Sequence, residues 1–185
     1  MGRTLIVPGL HGSGPDHWQS WWERQDPQAR RVGQQHWDKP DLRRWAGQVR
    51  RGIDASAGPV WLVAHSFGCL ASVRAGVDRP NRVAGALLVA PADPEKFGLT
   101  ERLPQSPLPF PSIVVASTSD PWLRFVRAAY WANRWGSCLL NLGDVGHINP
   151  ASGFGPWPAG MELLRELQSA HGDWPQGEIP GPLTT

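Results

Sequence analysis

The chain has 185 residues, 18 basic against 16 acidic, with 21 glycines and 19 prolines, which suits one folded domain with many defined loops. A net charge of only +2 argues against nucleic acid as a partner, and no apolar run reaches the ~20 residues that span a bilayer. Arg43, Arg44, Arg50 and Arg51 recur at helical spacing and read as a solvated face, while Cys69 and Cys138 lie in apolar stretches and read as core thiols.

Met1-Gly2-Arg3 runs directly into the β-rich Thr4-Leu5-Ile6-Val7 with no signal peptide, so a cytoplasmic location is expected. That first strand ends on a glycine-rich turn, Pro8-Gly9-Leu10-His11-Gly12-Ser13-Gly14. Asp16 or Ser13 is placed to cap a helix over 18–25, with Trp18, Trp21 and Trp22 on one side. Residues 30–35 form a weak second strand suited to an edge, and Asp41 opens a helix whose Leu42, Trp45, Val49 and Ile53 make an apolar face. Val60-Trp61-Leu62-Val63 is a third strand, and a helix starts near Cys69. Residues 83–90 and 112–117 are further strands, separated by the mostly irregular, proline-rich connection 91–109. A helix is expected over 121–135, a last strand over 138–142 and a last helix over 160–170. The domain is expected to occupy 1–171, with 172–185 a Pro/Gly-rich tail. Near-continuous apolar strands alternating with helices predict an α/β fold: a parallel sheet of about six strands with helices on both faces.

The chemistry concentrates at Leu62-Val63-Ala64-His65-Ser66-Phe67-Gly68. A serine on a strand-to-helix corner with small residues two positions either side has the form of a nucleophile elbow. The turn is strained, so neighbouring backbone crowds the serine Cβ, and only Gly or Ala leaves room. Gly68 satisfies this fully; Ala64 stands where glycine is usual and adds one methyl. A serine nucleophile needs a base, and the base an orienting acid. His147 lies in Gly146-His147-Ile148-Asn149, just past the last strand, where the base belongs. Three acids compete for the third role. Asp120 follows the penultimate strand and is preferred; Asp93 follows the preceding strand; Asp144 is close to His147 and better suited to stabilising its turn. Parallel strands end on one side, which gathers these loops at one sheet edge. The oxyanion donors are expected to be the backbone N–H groups of Phe67 and Leu10. His65 is read as structural, its side chain pointing away from Ser66, and His17, His36 and His171 have no chemical context.

Ile6-Val7-Pro8-Gly9, Asp16-His17-Trp18 with Trp21, Val63-Ala64-His65-Ser66-Phe67-Gly68, Ser119-Asp120-Pro121, Gly146-His147-Ile148-Asn149 and the segment 150–158 resemble small serine hydrolases of the YdeN and retinoblastoma-binding-protein type. The resemblance runs to about Leu167. It implies a compact α/β-hydrolase fold without the first two strands of the full fold, and a triad of Ser66, Asp120 and His147. No large lid is expected, because the connection 91–109 is short and proline-rich. His11, Trp18, Trp122 and Trp157 are the expected substrate contacts, the tryptophans walling an aromatic cleft. No metal or organic cofactor is implied, and the expected partner is a small ester or acyl substrate. A protein-binding module on the same scaffold is the alternative, and a flavodoxin-like cofactor binder leaves Ser66 and His147 unexplained. No feature indicates a protein partner.

Overall fold

Successive side chains on a strand point to opposite faces, and here both sets are apolar. In β1 (Arg3–Val7), Leu5 and Val7 join one core cluster and Ile6 the other. The same split divides Leu62 from Val63 in β3 (Val60–His65) and Leu88 from Leu87 in β4 (Val83–Val89). It also divides Val114 from Ile113 and Val115 in β5 (Ser112–Ala116). Strands apolar on both sides demand cover on both sides. Trp18 and Trp22 of α1 (Trp18–Gln25) and Leu163, Leu164 and Leu167 of α5 (Pro158–Ser169) supply it on one face. On the other lie α2 (Leu42–Asp54) and α3 (Phe67–Val77), with Trp131 of α4 (Phe125–Arg134).

The computed structural model describes residues 2–170, so the expected tail 172–185 lies outside the described residues. With β2 (Ala29–Arg31) and β6 (Cys138–Asn141) the sheet has six strands in the order β2-β1-β3-β4-β5-β6, all parallel. Both cysteines are buried. Among the described residues no helix is long and apolar enough to cross a membrane.

Three boundaries differ from expectation for local reasons. His17, not Asp16 or Ser13, caps α1, its Nδ1 accepting from the Gln19 backbone N–H at 3.1 Å. Ser13 instead donates its hydroxyl to Gln19 Oε1. Residues 121–124 are not helical, because Asp120 Oδ1 accepts the Trp122 N–H at 2.8 Å and closes a turn. β2 starts at Ala29 and ends at Arg31, where its register with Thr4–Ile6 runs out.

The connection 91–109 carries only two short 3₁₀ turns, Glu95–Phe97 and Thr100–Arg102. The corner between β3 and α3 sets the geometry of everything at that edge. Ser66 has φ 53°, in the region L-residues avoid. A Cβ on Gly68 would lie 2.3 Å from the Val7 carbonyl oxygen and 2.5 Å from that of Pro8, and these are rigid backbone atoms. Gly68→Ala is therefore expected to cost about 3 kcal/mol or more. Thermal unfolding should show a Tm lower by about 6–12 °C; an unchanged Tm would mean that the corner is not close-packed.

Candidate active site

Ser66 sits between β3 and the first turn of α3, with its N–H bonded to Val89 O at 3.0 Å. Its backbone is packed from the side by Gly9, where a Cβ would lie 2.7 Å from Ser66 Cβ. The turn after β1 is thus pressed against the serine, and only glycine permits it. Phe67 opens α3, its ring buried against Trp45 and Phe97, and its backbone N–H is among those a helix start leaves without an intrahelical partner.

His147 and Asp120 meet from the loops after β6 and β5. His147 Nδ1 lies 2.9 Å and 3.0 Å from the two oxygens of Asp120. A carboxylate only accepts, so Nδ1 carries the proton and Nε2 is the basic nitrogen. The Asp120 side chain is only 3% exposed and that of His147 9%. Of the other two acids, Asp93 accepts from the Glu95 N–H and lies 3.7 Å from Arg127, and Asp144 is exposed. A cleft of about 600 Å³ opens along this edge, lined by Leu10, His11, Ser66, Asp93, Trp122 and His147 among others. Trp122 is 57% exposed, its ring centroid 6.4 Å from that of His147. Lys96 donates to the Trp122 carbonyl at 2.6 Å, tying the connection after β4 to the acid loop.

Trp18 and Trp157 correct the expected aromatic wall. Trp18 is fully buried, stacked edge-on against Trp22 and Trp157, with its indole N–H donated to Ile148 O at 2.9 Å. Trp157 is 7% exposed and packs on Trp22 and Phe154. Both belong to the core beneath α1 and α5, and Trp122 alone of the three lines the cleft.

Several polar side chains that hold the site together were given no role from the sequence. Ser117 Oγ accepts the Val145 N–H and donates to Gly143 O, while Ser119 Oγ accepts the Gly146 N–H, lacing the acid loop to the histidine loop. The buried Gln19 side chain donates to Val7 O and Val63 O, joining the ends of β1 and β3. Neither Gln19 nor Ser117 stands out in the sequence, and Ser119 does so only within Ser119-Asp120-Pro121.

Three histidines stack beside the cleft. The His65 ring centroid lies 4.8 Å from both His17 and His147. His65, expected to be structural, is buried, with its Nε2 2.9 Å from the His147 carbonyl. Burial, then His147 and His17, holds its pKa well below the usual histidine range, against the opposing pull of that hydrogen bond. Burial, with Arg31 and His147 nearby, pushes His17 down from 6.5 to about 4. Among the described residues no three His, Cys, Asp or Glu side chains are grouped as metal ligands.

The profile of the serine hydrolase family matches residues 4–166, and the chain belongs to that family. It is similar to a solved YdeN-like hydrolase from Pectobacterium atrosepticum, with 42% identity, 90% of each chain covered and a TM-score of 0.87. The B. subtilis ydeN gene product is 23% identical over 91% of this chain and 100% of its own, with a TM-score of 0.77. A hydrolase of the α/β superfamily from Xanthomonas campestris pv. campestris shares the fold at 20% identity, a TM-score of 0.63 and coverage of 91% and 99%. The fold is that of the α/β hydrolases. No curated protein matches the chain.

A buried neutral histidine makes stability depend on pH. The unfolded chain takes up a proton on His17 near 6.5 that the folded protein refuses until about 4. The contribution is intact above 6.5 and is lost progressively as the pH falls toward 4. His17 alone should lower the unfolding free energy by about 2 kcal/mol between about pH 7.5 and pH 5. Urea unfolding at the two pH values measures it. His17→Asn keeps a helix cap but removes the titration, so its loss on acidification should be smaller by that amount; an equal loss would exclude His17 as the source.

Proposed function

We propose that this serine hydrolase cleaves small carboxylic esters or related acyl compounds through an acyl-Ser66 intermediate, with His147 as base and Asp120 as its orienting acid. The observation that carries it is the His147–Asp120 pair at 2.9 Å, set in the same cleft as a serine on a strained corner. Asp120 keeps the proton on Nδ1, which leaves the Nε2 lone pair to take the Ser66 hydroxyl proton as Oγ attacks the acyl carbon. The carbonyl oxygen becomes an oxyanion, received by the N–H groups of Phe67 and Leu10. Gly9 lies close enough to Ser66 to bring the Leu10 backbone beside the reacting carbon. As the tetrahedral centre collapses, the C–O bond to the leaving alcohol breaks and the alcohol takes the proton from Nε2. Water then repeats the sequence on the acyl-enzyme, releasing the acid and restoring Ser66. Leu10, Phe97 and Trp122 offer apolar surface to the substrate, and His11 stands at the rim.

Ser66→Ala and His147→Ala should each abolish turnover of a short p-nitrophenyl ester, and the double variant should be hardly slower than either, because the triad acts as a unit. Asp120→Asn should lower kcat by about 10⁴-fold by favouring the wrong tautomer, whereas Asp93→Asn should be mild. Reversal of those two would move the acid to Asp93. A fluorophosphonate probe should label the wild type and not Ser66→Ala; folded wild-type protein that takes up no probe would favour a binding role instead.

The connection over the cleft builds no multi-helix cap to shelter a long chain. Across an ester series kcat/KM should peak at acyl groups of about two to six carbons. A steady rise to long chains with activation at a lipid interface would refute it.

A further inference from the structure

We propose that His65 is a positioning residue for His147, holding the base in register with Ser66 through the hydrogen bond from its ring to the His147 main-chain carbonyl. This rests on the hydrolase reading above. A carbonyl oxygen only accepts, so the 2.9 Å contact requires the proton on His65 Nε2. His65 is the last residue of β3 and the immediate neighbour of Ser66. The bond therefore runs from the side chain next to the nucleophile to the main-chain carbonyl of the base, residues 82 apart in the chain.

The histidine loop needs such a tether. Gly146 has φ 61° and Ile148, a β-branched residue, has φ 50°. Ile148 is thus held where its side chain is unfavourable, and surrounding contacts must over-determine it. Two successive carbonyls supply the hold: His147 O takes the His65 ring N–H, and Ile148 O takes the Trp18 indole N–H at 2.9 Å. Both donors, His65 and Trp18, are buried, as are His147 and Ile148 that bear the carbonyls, so water does not replace a lost donor without a rearrangement.

Charge points the same way. The titratable groups facing His65 are His17, from the start of α1, and His147, from the loop after β6; Asp120 is bonded to His147, and Trp18 meets the His65 ring edge-on. Neutral rings at His65 and His17 leave His147 as the member of the stack that gains a proton during turnover. A cation at His65 would oppose that step.

The test compares His65→Leu, which removes the donor, with His65→Gln, whose amide nitrogen reaches to about the place of Nε2. His65→Leu should lower kcat, and the rate of fluorophosphonate labelling with it, by about 100-fold while KM stays within about threefold. His65→Gln should return kcat to within about tenfold of wild type. Imidazole ¹⁵N shifts of the wild-type protein should show His65 as the Nε2–H tautomer, untitrated from about pH 5 to 8. Equal kcat in wild type and folded His65→Leu, equal losses in the two variants, or an Nδ1–H or titrating His65 would each overturn the role. If His65→Leu does not fold, His65→Gln and the wild-type shifts decide it. Wild-type protein that neither turns over ester nor takes up the probe would instead overturn the hydrolase reading, and the positioning role with it.

Discussion

The positive-φ backbone at Ser66 is the constraint around which the sheet edge that carries Ser66, Asp120 and His147 is built. A φ of 53° at a serine is tolerated only because the chain on either side is locked: the Ser66 N–H to Val89 O, and Gly68 beneath the carbonyls of Val7 and Pro8. The close approach at Gly68 brings the turn after β1 to the corner, and Gly9 completes it from the side. Two strand ends and one helix start thus meet in van der Waals contact. Their proximity follows from side chains that are missing.

The other half of the edge is held by polar side chains. Serine hydroxyls at 117 and 119 pair with backbone of the loop that carries His147, and Asp120 accepts both the imidazole and the Trp122 N–H. The Val145 N–H and the imidazole are partly buried, where an unpaired polar group is costly. The outcome is that Asp120 is fixed by its own turn and His147 by its neighbours, the preorganisation on which the proposed chemistry depends.

The sheet, its two covered faces and the corner at Ser66 were legible because each rests on local pattern: apolar runs, helical spacing, small residues around one serine. Asp120 and His147 were legible as loop positions, since parallel strands fix which ends lie together. What pattern does not carry is the direction of a side chain in a loop. Trp18 and Trp157 read as cleft walls by position, yet they pair with each other in the core from opposite ends of the described chain. Likewise the cap at His17 depends on one ring nitrogen meeting the Gln19 N–H, and the setting of the His65 ring on a carbonyl far along the chain. Ala64, in place of the usual glycine, is accommodated because its methyl lies wholly in the core cluster beneath α2 and α3.

The two ends of the sheet are short. β2 pairs over three residues and β6 over four, and Arg31 at the β2 edge is folded back onto Glu23 and Ser20. An edge so brief and so charged gives an incoming strand few free amides to zip against. Addition of a foreign strand is thereby discouraged at the β2 margin by charge and brevity and at the uncharged β6 margin by brevity alone, in a protein whose central strands are apolar on both sides.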